Sequence, residues 1–249
     1  MFLSSNHCVY RITPGKHFMM LPVQESAEMC NVKLVANNEL VQTFNIRLAV
    51  NHIDHFVPLD LSAYQNGEQL ALDIHVNGTY RSDGDLRAFV CWKNMTYTDT
   101  PNFTNTEHFR PTYHHTPAYG WMNDPNGFSY YKGQYHMFYQ YHPFDSHWGP
   151  MHWGHAVSND LLHWTYLPAA MAPDMPYDRN GCFSGCAIEL PDGQHLLMYT
   201  GVIHEYTKSG EVREVQTQCL AFGDGMDYTK YEGNPVLTEK DLPLGGSRY

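Results

Sequence analysis

The sequence predicts an all-β protein, with a small N-terminal β-sandwich followed by antiparallel hairpins arranged as a propeller or barrel. Three observations lead to this class. Apolar runs of strand length, separated by turn dipeptides, recur along all 249 residues. No stretch carries the three-to-four-residue spacing of an amphipathic helix. Aromatic residues make up 14% of the chain and charged residues only 16%, a composition typical of pleated surfaces and aromatic-lined sites.

The first 105 residues are predicted to form the sandwich. Strands are expected at 32–36, 44–50, 70–76 and 87–92, and the run from Leu70 to Val76 alternates most clearly. Turns are expected at Asn37-Asn38, Asn66-Gly67, Asn77-Gly78 and Asp83-Gly84. Short strands joined by such turns favour a sandwich. The polar segment Thr96–Thr106 is typical of a linker.

Residues 106–249 are predicted to form a second domain built of hairpins. Turns are expected at Lys132-Gly133, Asp192-Gly193 and Ser209-Gly210. The strands they join are expected at 127–131, 135–141, 154–158, 186–190, 195–201 and 216–223. Hairpins in series without helices fit a propeller or barrel and exclude a parallel α/β sheet.

Composition excludes several functions. The chain has 15 Lys and Arg against 26 Asp and Glu, a formal net charge of −11, so nucleic acid is not expected as a partner. No apolar run reaches membrane-spanning length, and the first residues lack the pattern of a secretory signal. The six cysteines are interpreted as buried or free thiols, with disulfides as the alternative, because no zinc quartet is formed by their spacing.

The densest motif is Trp121-Met122-Asn123-Asp124-Pro125-Asn126-Gly127. Proline biases Asp124 towards an extended backbone, and Pro125-Asn126-Gly127 predicts a turn directly after it. A carboxylate held at a strand-to-turn edge beside an indole and an amide suits a nucleophile or an acceptor for sugar hydroxyls. The alternative is a residue that caps its own turn.

The following segments complete a recognisable pattern. They are Phe138-Tyr139-Gln140, Trp148-Gly149-Pro150-Met151-His152-Trp153-Gly154-His155, Ser158 to Trp164, and Phe183-Ser184-Gly185. In this order and spacing the chain from residue 111 to 249 resembles glycoside hydrolase family 32, the β-fructofuranosidases, levanases and inulinases. The first 105 residues resemble the β-sandwich that precedes the catalytic domain in some members.

The resemblance implies roles for seven residues. Asp124 would be the catalytic nucleophile. Asn123, Gln140 and Ser184 would hold fructosyl hydroxyls, and Trp121, Trp148 and Phe183 would form an aromatic wall. It also implies a five-bladed propeller, a retaining mechanism, a fructose-containing oligo- or polysaccharide such as sucrose, levan or inulin as substrate, and no metal or cofactor. Members of this type are often periplasmic, cell-surface or secreted.

The chain departs from the family in its acidic residues. The family's acid/base Glu lies in an E-C motif and a third acid in an R-D-P motif, and neither motif occurs here. At roughly 45–50 residues per blade, residues 111–249 suffice for about three blades. An incomplete copy that is inactive alone is therefore expected. The alternatives are a non-catalytic carbohydrate-binding or assembly fragment, and an arabinanase-like propeller hydrolase.

Several polar residues near these motifs are expected to be structural. His152 and His155 form H-x-x-H, but a strand-and-loop context without an acidic third ligand argues against metal. Asp160 is expected to serve a turn, and His114 and His115 to serve packing or hydrogen bonding at a rim.

Overall fold

The computed structural model describes residues 1–13, 15–76, 84–102, 111 and 113–241. It contains two compact units. The N-terminal unit comprises Met1–His114, Ala118–Gly120 and Pro143–His147, and the C-terminal unit comprises His115–Pro117, Trp121–His142 and Trp148–Tyr249. The domain boundary predicted at residue 105 falls within 103–110, outside the described residues, and stays a prediction, as does the turn at Asn77-Gly78.

Two antiparallel sheets form the N-terminal unit. The first has the strand order β1–β6–β3–β4, and the second has the order β5–β2–β7. The strands of the first sheet are β1 (His7–Ile12), β3 (Cys30–Ala36), β4 (Glu39–Ile46) and β6 (Leu70–Val76). Those of the second are β2 (Phe18–Val23), β5 (His55–Asp60) and β7 (Thr96–Thr98).

Buried side chains from both sheets form one apolar core, which confirms the sandwich. Leu34 and Leu72 contribute from the first sheet, and Leu21 and Val57 from the second. Along β6 every second residue from Leu70 to Val76 is buried, while Ala71, Asp73 and His75 lie on the opposite, outer face. Burial of such apolar side chains stabilises the unit by roughly 25 cal/mol for each Å² removed from water.

Two sequence predictions in this unit were wrong. Residues 87–92 do not form a strand, because Leu86–Ala88 form a 3₁₀ helix and Cys91–Asn94 form the helix α1. The Asp85 carboxylate accepts the Arg87 N–H at 2.9 Å and caps the first turn. Short apolar runs do not distinguish a buried strand from a buried helix. The predicted linker begins as strand β7, which pairs with β2.

The C-terminal unit contains two four-stranded antiparallel sheets, each with its strands in chain order. The first holds β8 (Trp121–Tyr131), β9 (Gln134–His142), β10 (His152–Ser158) and β11 (Trp164–Met171). The second holds β12 (Gly181–Glu189), β13 (His195–Tyr206), β14 (Val212–Gly223) and β15 (Tyr228–Lys230). A 3₁₀ helix follows at Glu239–Asp241.

These meanders have the topology of propeller blades, so the all-β class and the antiparallel blades are confirmed. The described residues contain two of the about three blades that were predicted. Strands cover 52% of the structure and helices 4%. The hairpin between β8 and β9 turns at Lys132 and Gly133, whose φ angles of 47° and 83° match the positive values that a two-residue turn requires.

No helix in the described part of the chain combines the length and the apolar character that crossing a membrane would require.

Candidate active site

A β-bulge places the predicted nucleophile. Met122 pairs with Tyr141 and Pro125 pairs with Tyr139, so Asn123 and Asp124 of β8 together oppose the single residue Gln140 of β9. A bulge of this kind reverses the alternation of side chains and re-aims them locally, and such bulges are common beside active sites. Three of the seven predicted site residues therefore meet at one irregularity of the sheet.

Asp124 is exposed, and among the described residues its carboxylate accepts no hydrogen bond. A turn-capping Asp would bind a neighbouring backbone N–H, so the alternative interpretation of Asp124 finds no support. The turn predicted at Pro125-Asn126-Gly127 was wrong, because β8 continues to Tyr131. Gly127, with a φ of 49°, lies instead in a second bulge between Asn126 and Ser129.

The indole of Trp121 fixes the neighbouring amide. Its Nε1 donates a hydrogen bond of 2.8 Å to Oδ1 of Asn123, and both residues are half-buried. Because the carbonyl oxygen of Asn123 is occupied, its NH₂ group is the part that can donate to a ligand hydroxyl. Trp121 thus orients Asn123 beside Asp124.

Gln140 connects the two sheets. Its side chain is only 3% exposed, and Nε2 donates a hydrogen bond of 3.0 Å to the carbonyl oxygen of Cys182 on β12. The side-chain oxygen has no hydrogen-bond partner among the described residues and remains an acceptor. The bond holds the start of β12 beside the bulge of β8.

A third bulge lies at the start of β12. Phe183 pairs with Thr200 and Gly185 pairs with Tyr199, so Ser184 is an extra residue in the strand. The ring of Trp148 meets Phe183 edge to face, with centroids 5.9 Å apart and planes at 77°. Trp148 remains 52% exposed, so part of its side chain is accessible from solvent.

The seven predicted residues fall into two groups. Trp121 donates to Asn123, and Asn123 and Asp124 lie opposite Gln140, whereas Trp148 contacts Phe183, which precedes Ser184. The hydrogen bond from Gln140 to Cys182, the residue before Phe183, joins the two groups. Two open clefts elsewhere, one lined by His55 and Phe56 and the other by Gly193 and Phe222, contain none of the seven. The assignment of roles stays a prediction, supported by this convergence.

The arrangement combines an exposed carboxylate, two amide side chains and an exposed indole, which are the types of group that contact sugars. The sequence matches the model of the glycosyl hydrolases family 32 N-terminal domain over residues 114–247, more than half of the chain. The chain belongs to glycosyl hydrolase family 32. Residues 4–113 match a domain of unknown function.

Named relatives agree with family 32. The chain is 52% identical over 124 residues to the vacuolar acid beta-fructofuranosidase 1 of a Rosa hybrid cultivar, covering 47% of this chain and 20% of that protein. It is 52% identical over 126 residues to the sucrose-6-phosphate hydrolase of Zymomonas mobilis, covering 50% and 24%. The chain thus spans about a fifth to a quarter of the length of these relatives.

Among solved structures, a family 32 beta-fructofuranosidase of Bombyx mori matches with 50% identity and a TM-score of 0.47. The match covers 52% of this chain and 26% of that one.

The C-terminal unit also contains a cluster of buried histidines that was not predicted from the sequence. Nδ1 of His136 lies 3.0 Å from Nε2 of His155, and the two rings of His195 and Tyr131 stack 4.3 Å apart. His195 bonds the Ser129 hydroxyl at 3.0 Å through Nε2 and the Tyr228 hydroxyl at 2.7 Å through Nδ1. Because these residues are up to 99 positions apart in the chain, no local pattern marks them.

Burial keeps this cluster neutral. Desolvation lowers the pKa of His155 to about 3, and the neighbouring His136 and His195 lower it further because like charges repel. Desolvation, followed by His136 and Lys132, lowers the pKa of His195 to about 4. The three imidazoles therefore act as neutral packing and hydrogen-bonding groups at neutral pH.

The other polar residues singled out in the sequence have structural surroundings. His152 and His155 are three residues apart on a strand, so their side chains leave it on opposite faces and do not share a metal. Asp160 accepts the N–H groups of Leu162 and His163, at 2.9 and 2.8 Å, and holds a turn. The His115 ring stacks on Tyr166 with centroids 5.1 Å apart.

None of the six cysteines forms a disulfide; five are buried and Cys186 is exposed. The described residues contain one group of side chains with metal-ligand geometry, formed by His7, Asp73 and His75 of the N-terminal unit and separate from the family 32 residues.

Proposed function

We propose that this chain supplies the nucleophile and the fructosyl-binding residues for hydrolysis of β-fructosidic bonds, in substrates of the sucrose, levan or inulin type. The observation that carries the proposal is the bulge that sets Asn123 and Asp124 opposite Gln140. It leaves an exposed carboxylate beside Asn123 and opposite Gln140 in the register, and an exposed carboxylate is what a retaining glycosidase needs as its nucleophile. The relatives named beta-fructofuranosidase and sucrose-6-phosphate hydrolase support the substrate class.

In this mechanism a carboxylate oxygen of Asp124 attacks the anomeric C2 of the fructosyl unit. The bond from C2 to the leaving oxygen breaks, and that oxygen takes a proton from an acid. Water then attacks C2 of the ester, gives its proton to the conjugate base of that acid, and releases fructose and the carboxylate. Asn123 and Gln140 would bind hydroxyls, and Trp121, Trp148 and Phe183 would exclude water from the positively charged transition state.

The acid that protonates the leaving oxygen is a separate requirement. Retaining enzymes hold it roughly 5–5.5 Å from the nucleophile. The sequence contains no E-C motif, the context in which the family resemblance places this acid. We infer that the 249 residues perform the nucleophilic half of the reaction without that acid.

A substrate whose leaving group needs no proton tests nucleophilic attack by Asp124 separately from protonation of the leaving group. Fluoride leaves from β-fructofuranosyl fluoride without protonation, so we expect the 249-residue chain to release fluoride from it. We expect hydrolysis of sucrose, inulin and levan to be about 10²–10⁴-fold slower for want of the acid. Asp124→Asn should lower fluoride release at least about a thousandfold, since it removes the attacking group.

Asp160→Asn is the matched control, because Asp160 is an exposed carboxylate of the same unit that serves a turn. Fluoride release that survives Asp124→Asn would reject Asp124 as the nucleophile. Fructose binding with no reaction on any substrate would favour the non-catalytic carbohydrate-binding alternative.

A further inference from the structure

Three metal-ligand side chains converge on the outer face of the first sheet of the N-terminal unit. Nε2 of His7 lies 2.7 Å and Nε2 of His75 lies 3.5 Å from the same oxygen of Asp73. The ligand atoms all lie within 4.8 Å of one another. The two imidazole rings face each other with centroids 3.7 Å apart and planes at 23°. Two imidazole nitrogens and a carboxylate oxygen thus point at one small volume.

The strand register produces this convergence. His7 of β1 is directly opposite His75 of β6. The adjacent position is joined by a hydrogen bond from the Val76 N–H to the Asn6 carbonyl oxygen, which makes His7 and His75 a non-hydrogen-bonded pair. Side chains approach most closely in such pairs. Asp73 lies two residues from His75, on the same face.

We propose that His7, Asp73 and His75 bind a divalent transition-metal ion of the Zn²⁺ class. Zinc takes imidazole nitrogens and carboxylate oxygens at about 2.0–2.2 Å in tetrahedral geometry, which sets its ligand atoms roughly 3.3–3.5 Å apart. The distance from His75 to Asp73 already has this value. The His7 and Asp73 ligand atoms would have to move apart by less than 1 Å to reach it, and three protein ligands leave the fourth tetrahedral position for water.

The site is accessible and rigidly supported. The side chains of His7, Asp73 and His75 are 24%, 31% and 43% exposed, so an ion can enter from solvent. β6 is the second strand of its sheet and is paired on both sides, with β1 and β3. Lys33, in register with Asp73 on β3, is exposed, and its flexible chain can keep the ammonium in water.

Calorimetric titration of the 249-residue chain with Zn²⁺, after treatment with a chelator, tests the proposal. We expect one equivalent to bind more tightly than any remaining sites. His7→Ala, His75→Ala and the isosteric Asp73→Asn should each weaken this equivalent at least tenfold, since loss of even an outer partner of a ligand costs about 10–100-fold. Circular dichroism should show all three variants folded, because the residues lie outside the core.

His52→Ala is the matched control. His52 is a surface histidine of the same unit that lies 3.2 Å from Asp54, and among the described residues the pair belongs to no group of three metal ligands. It should leave the tight equivalent unchanged. The proposal would be overturned if the unmodified chain binds no tight equivalent of Zn²⁺, or if the three ligand variants still bind it. His7 and Asp73 would then form an ordinary ion pair.

Discussion

The two units build four-stranded antiparallel sheets in different ways. In the N-terminal unit, β6 pairs with β1 and with β3 without a register shift, and the shift in this sheet lies between β3 and β4, at Leu34 and Val35. In the C-terminal unit, β8 carries two bulges and β12 carries one. An unbroken register sorts side chains into an apolar face and a polar face, whereas a bulge lets successive residues share a face. The candidate nucleophile Asp124 therefore lies where the register is broken, whereas the His7–Asp73–His75 group depends on a regular register.

The contrast predicts that substitutions in the regular sheet lower stability, whereas substitutions at the bulge of β8 lower reactivity. Leu72 is 1% exposed in the regular sheet, and Asp124 is exposed without a hydrogen-bond partner in the described structure. We expect Leu72→Ala to lower the free energy of unfolding by about 2–5 kcal/mol through lost burial and a cavity. Asp124→Asn should change it by less than about 0.5 kcal/mol. Urea denaturation followed by hydrogen exchange of each unit measures both.

Fluoride release from fructosyl fluoride, measured per folded molecule, should show the reverse order, with Leu72→Ala unchanged and Asp124→Asn inactive. Equal loss of reaction in the two variants would remove the distinction between the units.

The glycine in the second bulge of β8 and the glycine in the β8–β9 hairpin differ in a similar way. A Cβ at Gly127, in the second bulge, would lie 2.8 Å from Phe138 and 3.1 Å from Trp153, and its φ of 49° disfavours other residues. Gly133, in the hairpin, has a φ of 83° but open space around it. We expect Gly127→Ala to cost about 2–4 kcal/mol from clash and strain together.

Gly133→Ala is the control and should cost about 1 kcal/mol from strain alone. Thermal unfolding of the two variants measures the difference, and equal losses would show that the bulge is not tightly packed.

Acid should unfold the C-terminal unit through its histidines. His155 and His195 have pKa values lowered to about 3 and about 4 when folded, against about 6.5 when unfolded. The unfolded state therefore binds more protons between these values, so stability falls as pH drops from 6.5 towards 4. Each histidine contributes up to about 1.4 kcal/mol per pH unit. Hydrogen exchange between pH 7 and pH 4 monitors the loss.

His155→Gln should shift this acid transition to lower pH, since it removes a group that must protonate. His163→Gln should not shift the transition to lower pH, because a hydrogen bond with Asp160 raises the pKa of His163, whereas burial lowers that of His155. A transition that is unmoved by His155→Gln would assign acid sensitivity to other groups.

The sequence predicts regular elements and fails where tertiary contacts decide. The strand Leu70–Val76 is confirmed, because its alternation of apolar and polar residues matches alternating burial. The Lys132-Gly133 turn is confirmed, because residues of these types favour the positive φ angles that the turn needs. The strand predicted at 87–92 was wrong, because packing and the Asp85 cap favour helical turns there. Six strands, among them β1 and β11, were not predicted.

The candidate site shows the same limit. The family motifs predict Asp124 and its neighbours as site residues. A bulge is visible only once the partner strand is known, so the predicted turn at residues 125–127 was wrong. The His7–Asp73–His75 group joins residues 66 positions apart in sequence and depends entirely on strand register. No spacing rule finds such a set.

The most direct test of the account is to locate the covalent bond formed with substrate. We predict that the 249-residue chain, exposed to β-fructofuranosyl fluoride, accumulates an ester, because the missing acid/base group also slows attack by water. Peptide mass spectrometry should find one fructosyl unit on the carboxylate of Asp124 and none in Asp124→Asn. A fructosyl unit on another carboxylate, or one that persists in Asp124→Asn, would contradict the claim that the bulge of β8 presents the nucleophile.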